Sequence, residues 1–146
     1  MFRKVVFTLF FFLSTFATAE AISLVSVDGE NVNMRSGPGS NYSVLWELGR
    51  GFPLKVLDRK GGWVKVEDFE GDSGWIYGKL VAKNPHLIVK KRRVNVRSGP
   101  GRNYRLVGKA NYGVVFKTIK TSDGWVQVKH ENGLTGWVRR DLLWGW

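Results

Sequence analysis

Seven Trp, four Tyr and a large excess of Lys and Arg, with no Cys and only two His, point to stacking and ion pairing rather than covalent chemistry. The absence of Cys removes a disulfide scaffold, thiolate zinc or iron-sulfur sites, a cysteine nucleophile and a lipidated N-terminal Cys. His86 and His130 are too few to build a hydrolytic zinc site, which needs several His or carboxylate ligands. Ser122, Asp123 and His130 have the residue types of a hydrolytic triad, but no nucleophile-elbow motif surrounds any Ser. Glu67-Asp68 and Glu70 to Asp72 are paired carboxylates in a turn-like stretch, with nothing apolar to raise a pKa. Gly37-Pro38-Gly39 is a turn and not a phosphate-cradling loop. The expectation is a non-enzyme with no cofactor and no metal.

The residues left for binding are aromatic rings and guanidinium groups. In Trp63-Val64-Lys65-Val66-Glu67 the two Val share one face of a strand, and Trp63 shares the other with Lys65 and Glu67. Trp125 stands in the same relation to Val126 and Val128. Charged neighbours mark the Trp face as wet, so each indole either lies over its own barrel edge or forms a ligand platform. Trp75 and Trp137 raise the same two alternatives. Tyr42 and Tyr104, each with an apolar ring and a polar tip, are first candidates for ligand contact, with Asn103 beside Tyr104. Arg35 and Arg97 offer a bidentate match to a carboxylate, or alternatively hydrogen bonds that hold the following turn. The reading favours the turn, because the motif is built around one.

These candidates recur because the chain repeats. Val32-Asn33-Met34-Arg35-Ser36-Gly37-Pro38-Gly39 returns 62 positions later as Val94-Asn95-Val96-Arg97-Ser98-Gly99-Pro100-Gly101. The same offset carries Asn41-Tyr42 onto Asn103-Tyr104, Gly62-Trp63-Val64 onto Gly124-Trp125-Val126, and Gly74-Trp75 onto Gly136-Trp137. Without any gap, 20 of 60 positions are identical, so loop lengths should match between copies. Helical spacing is nowhere sustained, and Gly, Pro or Asn interrupts the chain every eight to twelve residues. The fold class expected is all-β, as two tandem small barrels. Strands are read at 32–35, 44–48, 54–59, 63–67 and 74–77, and again 62 residues on. Gly37, Pro38, Gly39 and their counterparts Gly99, Pro100 and Gly101 are structural turn residues. A unit of some 60 residues buries only about 60% of its unfolded surface, which favours packing of the two copies on each other.

Residues 1–19 read as an export signal. Arg3 and Lys4 precede the apolar run Val5 to Phe16, and Ala17-Thr18-Ala19 offers a cleavage site after Ala19. That run spans roughly 18–23 Å as a helix, against about 30 Å of hydrocarbon, so a retained span is disfavoured. The copies are expected at residues 22–84 and 85–146. Their charges differ sharply: Val25 to Asn84 has eight Lys/Arg against eight Asp/Glu, whereas Pro85 to Trp146 has thirteen against three. The excess gathers in Lys90, Lys91, Arg92, Arg93, Arg97, Arg102, Arg105, Arg139 and Arg140. Export takes the chain away from nucleic acid, so the expected polyanion is a wall polymer or an envelope surface, approached by the second copy. The tail Leu142-Leu143-Trp144-Gly145-Trp146 is expected to pack, since five residues make a poor membrane anchor.

The run N-x-R-S-G-P-G, then N-Y, G-W-V-x-V, G-W-I/V and a closing Leu, present in order in both copies, resembles the bacterial SH3 (SH3b) domain family. The resemblance implies a small, strongly bent barrel of five to seven strands. It also implies a targeting or binding module that accompanies cell-wall hydrolases and recognises peptidoglycan peptides. Proline-rich peptide binding is not carried over, because the acidic-aromatic motif of eukaryotic SH3 domains is missing. Attachment to peptidoglycan, in the periplasm or the cell wall, is the expected function. An interaction scaffold for another envelope protein is the alternative.

Overall fold

The computed structural model describes residues 21–146, so the expected export signal lies outside the described residues. Fourteen strands form two seven-stranded antiparallel sheets, one per repeat. The first contains β1 (Leu24–Val27), β2 (Val32–Arg35), β3 (Val44–Leu48), β4 (Pro53–Lys60), β5 (Trp63–Glu67), β6 (Ser73–Tyr77) and β7 (Val81–Ala82). The second contains β8 (His86–Val89), β9 (Arg93–Arg97), β10 (Leu106–Asn111), β11 (Val115–Ser122), β12 (Trp125–Lys129), β13 (Thr135–Arg139) and β14 (Leu143–Gly145). A single 3-10 turn precedes β7 and another precedes β14. Strand order in the first sheet is β3-β2-β6-β5-β4-β1-β7, and the second repeats it.

Each sheet curls around its own core because strand alternation buries one face and bulges bend the strands, leaving β3 and β7, or β10 and β14, as its edges. Val64, Val66, Ile76, Val32 and Met34 meet in the first core, and Val126, Val128, Val138, Val94 and Val96 in the second. A register shift between Val56 and Asp58 in β4 recurs between Thr118 and Lys120 in β11, which adds twist at the same point of both barrels. β2 and β6 cross at one registered pair, Arg35 with Trp75, and β9 and β13 likewise at Arg97 with Trp137. Glycine is required at that crossing. A Cβ on Gly136 would stand 2.7 Å from the carbonyl oxygen of Arg97, and one on Gly74 would stand 2.9 Å from that of Arg35.

The repeats dock. The rings of Phe52, Phe69 and Tyr112 form a chain with centroid spacings of 6.0 and 5.2 Å, and its last link runs from the first repeat to the second. The tail packs as β14: the Arg140 guanidinium donates to the carbonyls of Leu143 and Gly145 at 3.0 and 2.8 Å, and the Trp146 N–H donates to His86. Desolvation, then the negative charge of Glu70 and its hydrogen bond, then Asp68, raise the Tyr112 hydroxyl above its ordinary value of 10.0. The folded chain therefore favours the neutral phenol, a contribution present below pH 10.0 and lost as pH climbs through the raised value. Tyr112→Phe should remove this alkaline loss, read as a smaller fall in melting temperature between about pH 9 and about pH 11.

Candidate ligand grooves

The loop after β2 is a closed unit. The Arg35 guanidinium donates to the Tyr42 carbonyl at 2.9 Å, Ser36 N–H to Ser43, and Gly39 N–H to Gly37. The second repeat does the same, with Arg97 donating to Tyr104 at 3.1 Å and Ser98 to Arg105. Glycine is needed here for space: a Cβ on Gly37 or Gly99 would lie within 2.4 Å of the Tyr42 or Tyr104 ring. Each Tyr ring thus lies flat on its own turn with its outer face open, 44% exposed for Tyr42 and 45% for Tyr104. Neither Tyr lines a groove with the Trp side chains, and Asn103 stays exposed in the turn.

The grooves lie on the other side of β2 and β9. In the first repeat a space of about 470 Å³ is lined by Asn33 and Arg35 of β2, Ser40 of the loop, Trp63, Tyr77 and Leu80. Trp63 and Tyr77 face each other across β5 and β6, with ring centroids 5.6 Å apart, and form a half-exposed aromatic shelf. In the second repeat a space of about 180 Å³ is lined by Arg93, Asn95, Arg97, Arg102, Trp125, Arg139 and Leu142. Trp125 and Arg97 are thereby brought together with three members of the basic cluster. Arg93 donates through Nε to Asn111 at 3.1 Å, and Arg139 pairs with Asp141.

The remaining basic residues spread out. Lys90 borders a second depression on the far flank of Trp125, Lys91 and Arg92 are exposed in the β8–β9 turn, and Arg105 is exposed in the loop. Arg140 lines the same depression as Lys90, and its guanidinium also donates to the tail carbonyls of Leu143 and Gly145. Trp137, left open between exposure and packing, is buried at 8% exposure with Lys120 over its ring at 5.8 Å. Sequence reasoning passed over Tyr77 as Trp63's partner. The signal was available in the β5–β6 register, which sets Tyr77 opposite Trp63. It also passed over a cleft of about 570 Å³ between the repeats, bordered by Phe52, His86, Lys117, Lys129 and His130, which no single-repeat pattern encodes. Among the described residues no group of three His, Asp or Glu is placed to hold a metal ion, and no helix is long and apolar enough to cross a membrane.

A family model described as bacterial SH3 domain matches residues 28–83 and again 90–145. Among curated proteins, the chain is similar to the putative N-acetylmuramoyl-L-alanine amidase YrvJ of Bacillus subtilis, at 28% identity over 152 residues, covering 95% of this chain and 29% of that one. It is also similar to the probable cell wall amidase LytH of Staphylococcus epidermidis, at 38% identity over 50 residues, covering 34% of this chain and 17% of that one. The chain thus spans less than a third of the length of these relatives. Among solved structures, the endolysin LysPBC5 CBD aligns at 20% identity with a TM-score of 0.35, over 88% of this chain and 96% of that one. An NlpC/P60 family protein from Bacillus cereus aligns at 18% identity with a TM-score of 0.37, over 85% and 56%.

Proposed function

The chain belongs to the bacterial SH3 domain family through both of its repeats, and from that premise we propose that it is an exported, non-catalytic module that attaches to cell-wall peptidoglycan. The observation that carries this reading is the recurrence, in both barrels, of a groove with a Trp on one wall and an Asn-x-Arg strand on the other. An indole face gives apolar contact area, while the Asn amide and the free N–H groups of the Arg orient a polar chain laid across it. In the first repeat the Trp63–Tyr77 shelf suits the flat apolar face of a sugar or the side chain of a stem peptide. Relatives named as cell wall amidases carry a segment similar to this chain as a minor part of a longer protein, which fits a unit that holds a substrate surface.

Sedimentation with purified sacculi tests the reading. The protein should pellet with sacculi, and Trp63→Ala should weaken retention at every salt concentration while leaving the melting profile cooperative. Raising salt from low to about 0.15 M should weaken the wild type through the second repeat's exposed charges, without abolishing binding. Equal retention of wild type and Trp63→Ala, or pelleting confined to very low salt, would overturn it.

A second reading rests on β3. This strand is at the edge of the first sheet and exposes Val44, Leu45 and Trp46, an open ladder to which a partner protein's strand could be added.

A further inference from the structure

The two grooves are the same construction with one property changed. Val94, Asn95, Arg97, Trp125 and Leu142 occupy the positions that Val32, Asn33, Arg35, Trp63 and Leu80 hold in the first repeat. The second groove's three other lining positions all differ in one direction: Asn31 becomes Arg93, Ser40 becomes Arg102 and Tyr77 becomes Arg139, while the counterparts of Gly29 and Glu30 do not line it. With Arg97 this sets four guanidinium groups around one small groove. No Lys lines it, although Lys109, Lys117, Lys120 and Lys129 all occur in the same barrel. A solvated basic face has no reason to sort Arg from Lys in this way. A site for an oxyanion does, because a planar fork of N–H donors matches paired oxygens where an ammonium offers a point charge.

We infer that the second groove is a binding site for a phosphate group carried on an envelope polymer, while the first takes an uncharged part of the wall. The inference rests on the wall-binding reading above and assigns a ligand class to one of its two sites. The directions from which the arginines approach select phosphate over carboxylate, while the volume and the charge fit a small anion of either kind. The groove's volume, about 180 Å³ against about 470 Å³ in the first repeat, suits a compact group. Its arginines arrive from several directions, from β9, from the loop after it and from β13. A carboxylate presents two oxygens in one plane, whereas a tetrahedral phosphate presents oxygens in several planes and can accept from forks on different walls. The charge is compensated only at Arg139, which pairs with Asp141; among the described residues Arg93, Arg97 and Arg102 have no carboxylate within ion-pair distance.

The test compares two polyanions of matched charge, polyphosphate and polyglutamate, titrated into the whole protein at about 0.15 M salt and followed by tryptophan fluorescence and calorimetry. Polyphosphate should bind at least about tenfold tighter. Arg93→Asn combined with Arg102→Ser installs the first repeat's own residues at exposed positions, and should cost about tenfold of that affinity. Lys109→Gln combined with Lys117→Gln removes the same charge outside the groove and should cost less than about twofold. Equal affinity for the two polyanions, or equal losses in the two double variants, would overturn the proposal by reducing the groove to a diffuse basic surface. Sedimentation of the same variants with sacculi keeps the two readings apart. Trp63-dependent pelleting without a phosphate preference sinks the phosphate site alone, and a phosphate preference without pelleting sinks wall attachment alone.

Discussion

Replacing Phe116 by Ala is expected to destabilise the second barrel by about 3–5 kcal/mol. Phe116 is fully buried on β11 in the second core, with the His130 ring edge-on at a centroid distance of 6.0 Å. A domain of this size has a total stability of only about 3–9 kcal/mol, so the loss is comparable to everything that holds the barrel closed. The first repeat shows why the site does not collapse to fill the void. Its corresponding residues are Leu54, Met34 and Leu48, where the second core has Phe116, Val96 and Ala110. The ring is larger than Leu54, while Val96 and Ala110 are smaller than Met34 and Leu48, so the second core depends on its one large side chain. Removing the ring leaves a cavity in a core that already holds these two small side chains. Phe116→Leu combined with Val96→Met and Ala110→Leu, which installs the first core's residues at these three positions, should recover part of the stability. Urea unfolding followed by circular dichroism and tryptophan fluorescence reads both. A triple variant no more stable than Phe116→Ala would show that the two cores are not interchangeable packings of one frame.

What could be read from the sequence is what alternation and turn chemistry encode locally. Strands β2, β3 and β5 run over the residues expected of them; in β2 and β5 the Val-x-Met-x and Val-x-Val patterns leave one register once a face must be buried. The first and last strands of each barrel escaped notice for the opposite reason. Leu87-Ile88-Val89 of β8 is an unbroken apolar run, because Trp144 of β14 pairs beside Ile88 and covers the face that would otherwise be wet. In β1 the matching residue is Ser26, a polar side chain whose burial depends on a hydrogen bond to the carbonyl of Asn84, 58 residues away. Neither contact has a local signature. The site divides along the same line. Arg97 and Trp125 are visible as motif residues, but that Arg93, Arg102 and Arg139 join them follows from how β9, its loop and β13 are brought together. The Tyr rings lie outside the grooves because each is held on its own glycine turn, a contact inside an eight-residue loop that leaves the outer face of the ring open.

Disabling one groove is expected to reduce retention on sacculi by about a hundredfold or more, far beyond the half that two independent sites would give. The expectation follows from the linkage. Residues 83–85 are the only chain between β7 and β8, and the Phe69–Tyr112 contact sets one barrel against the other. Once the first groove is engaged on a polymer, the second is confined near it, and its binding becomes an intramolecular event at an effective concentration in the millimolar range. Each groove alone is small and open, so a modest affinity is expected of it and most of the retention should come from simultaneous engagement. Trp63→Ala or Trp125→Ala should therefore cost about 10²-fold or more on intact sacculi, yet on soluble wall fragments too short to reach both grooves each variant should lose only its own groove's binding. Tyr112→Ala supplies the control for geometry, since it leaves both grooves intact and weakens the contact that fixes their spacing. Equal losses on sacculi and on short fragments would mean that the barrels bind one at a time, and that their docking serves stability alone.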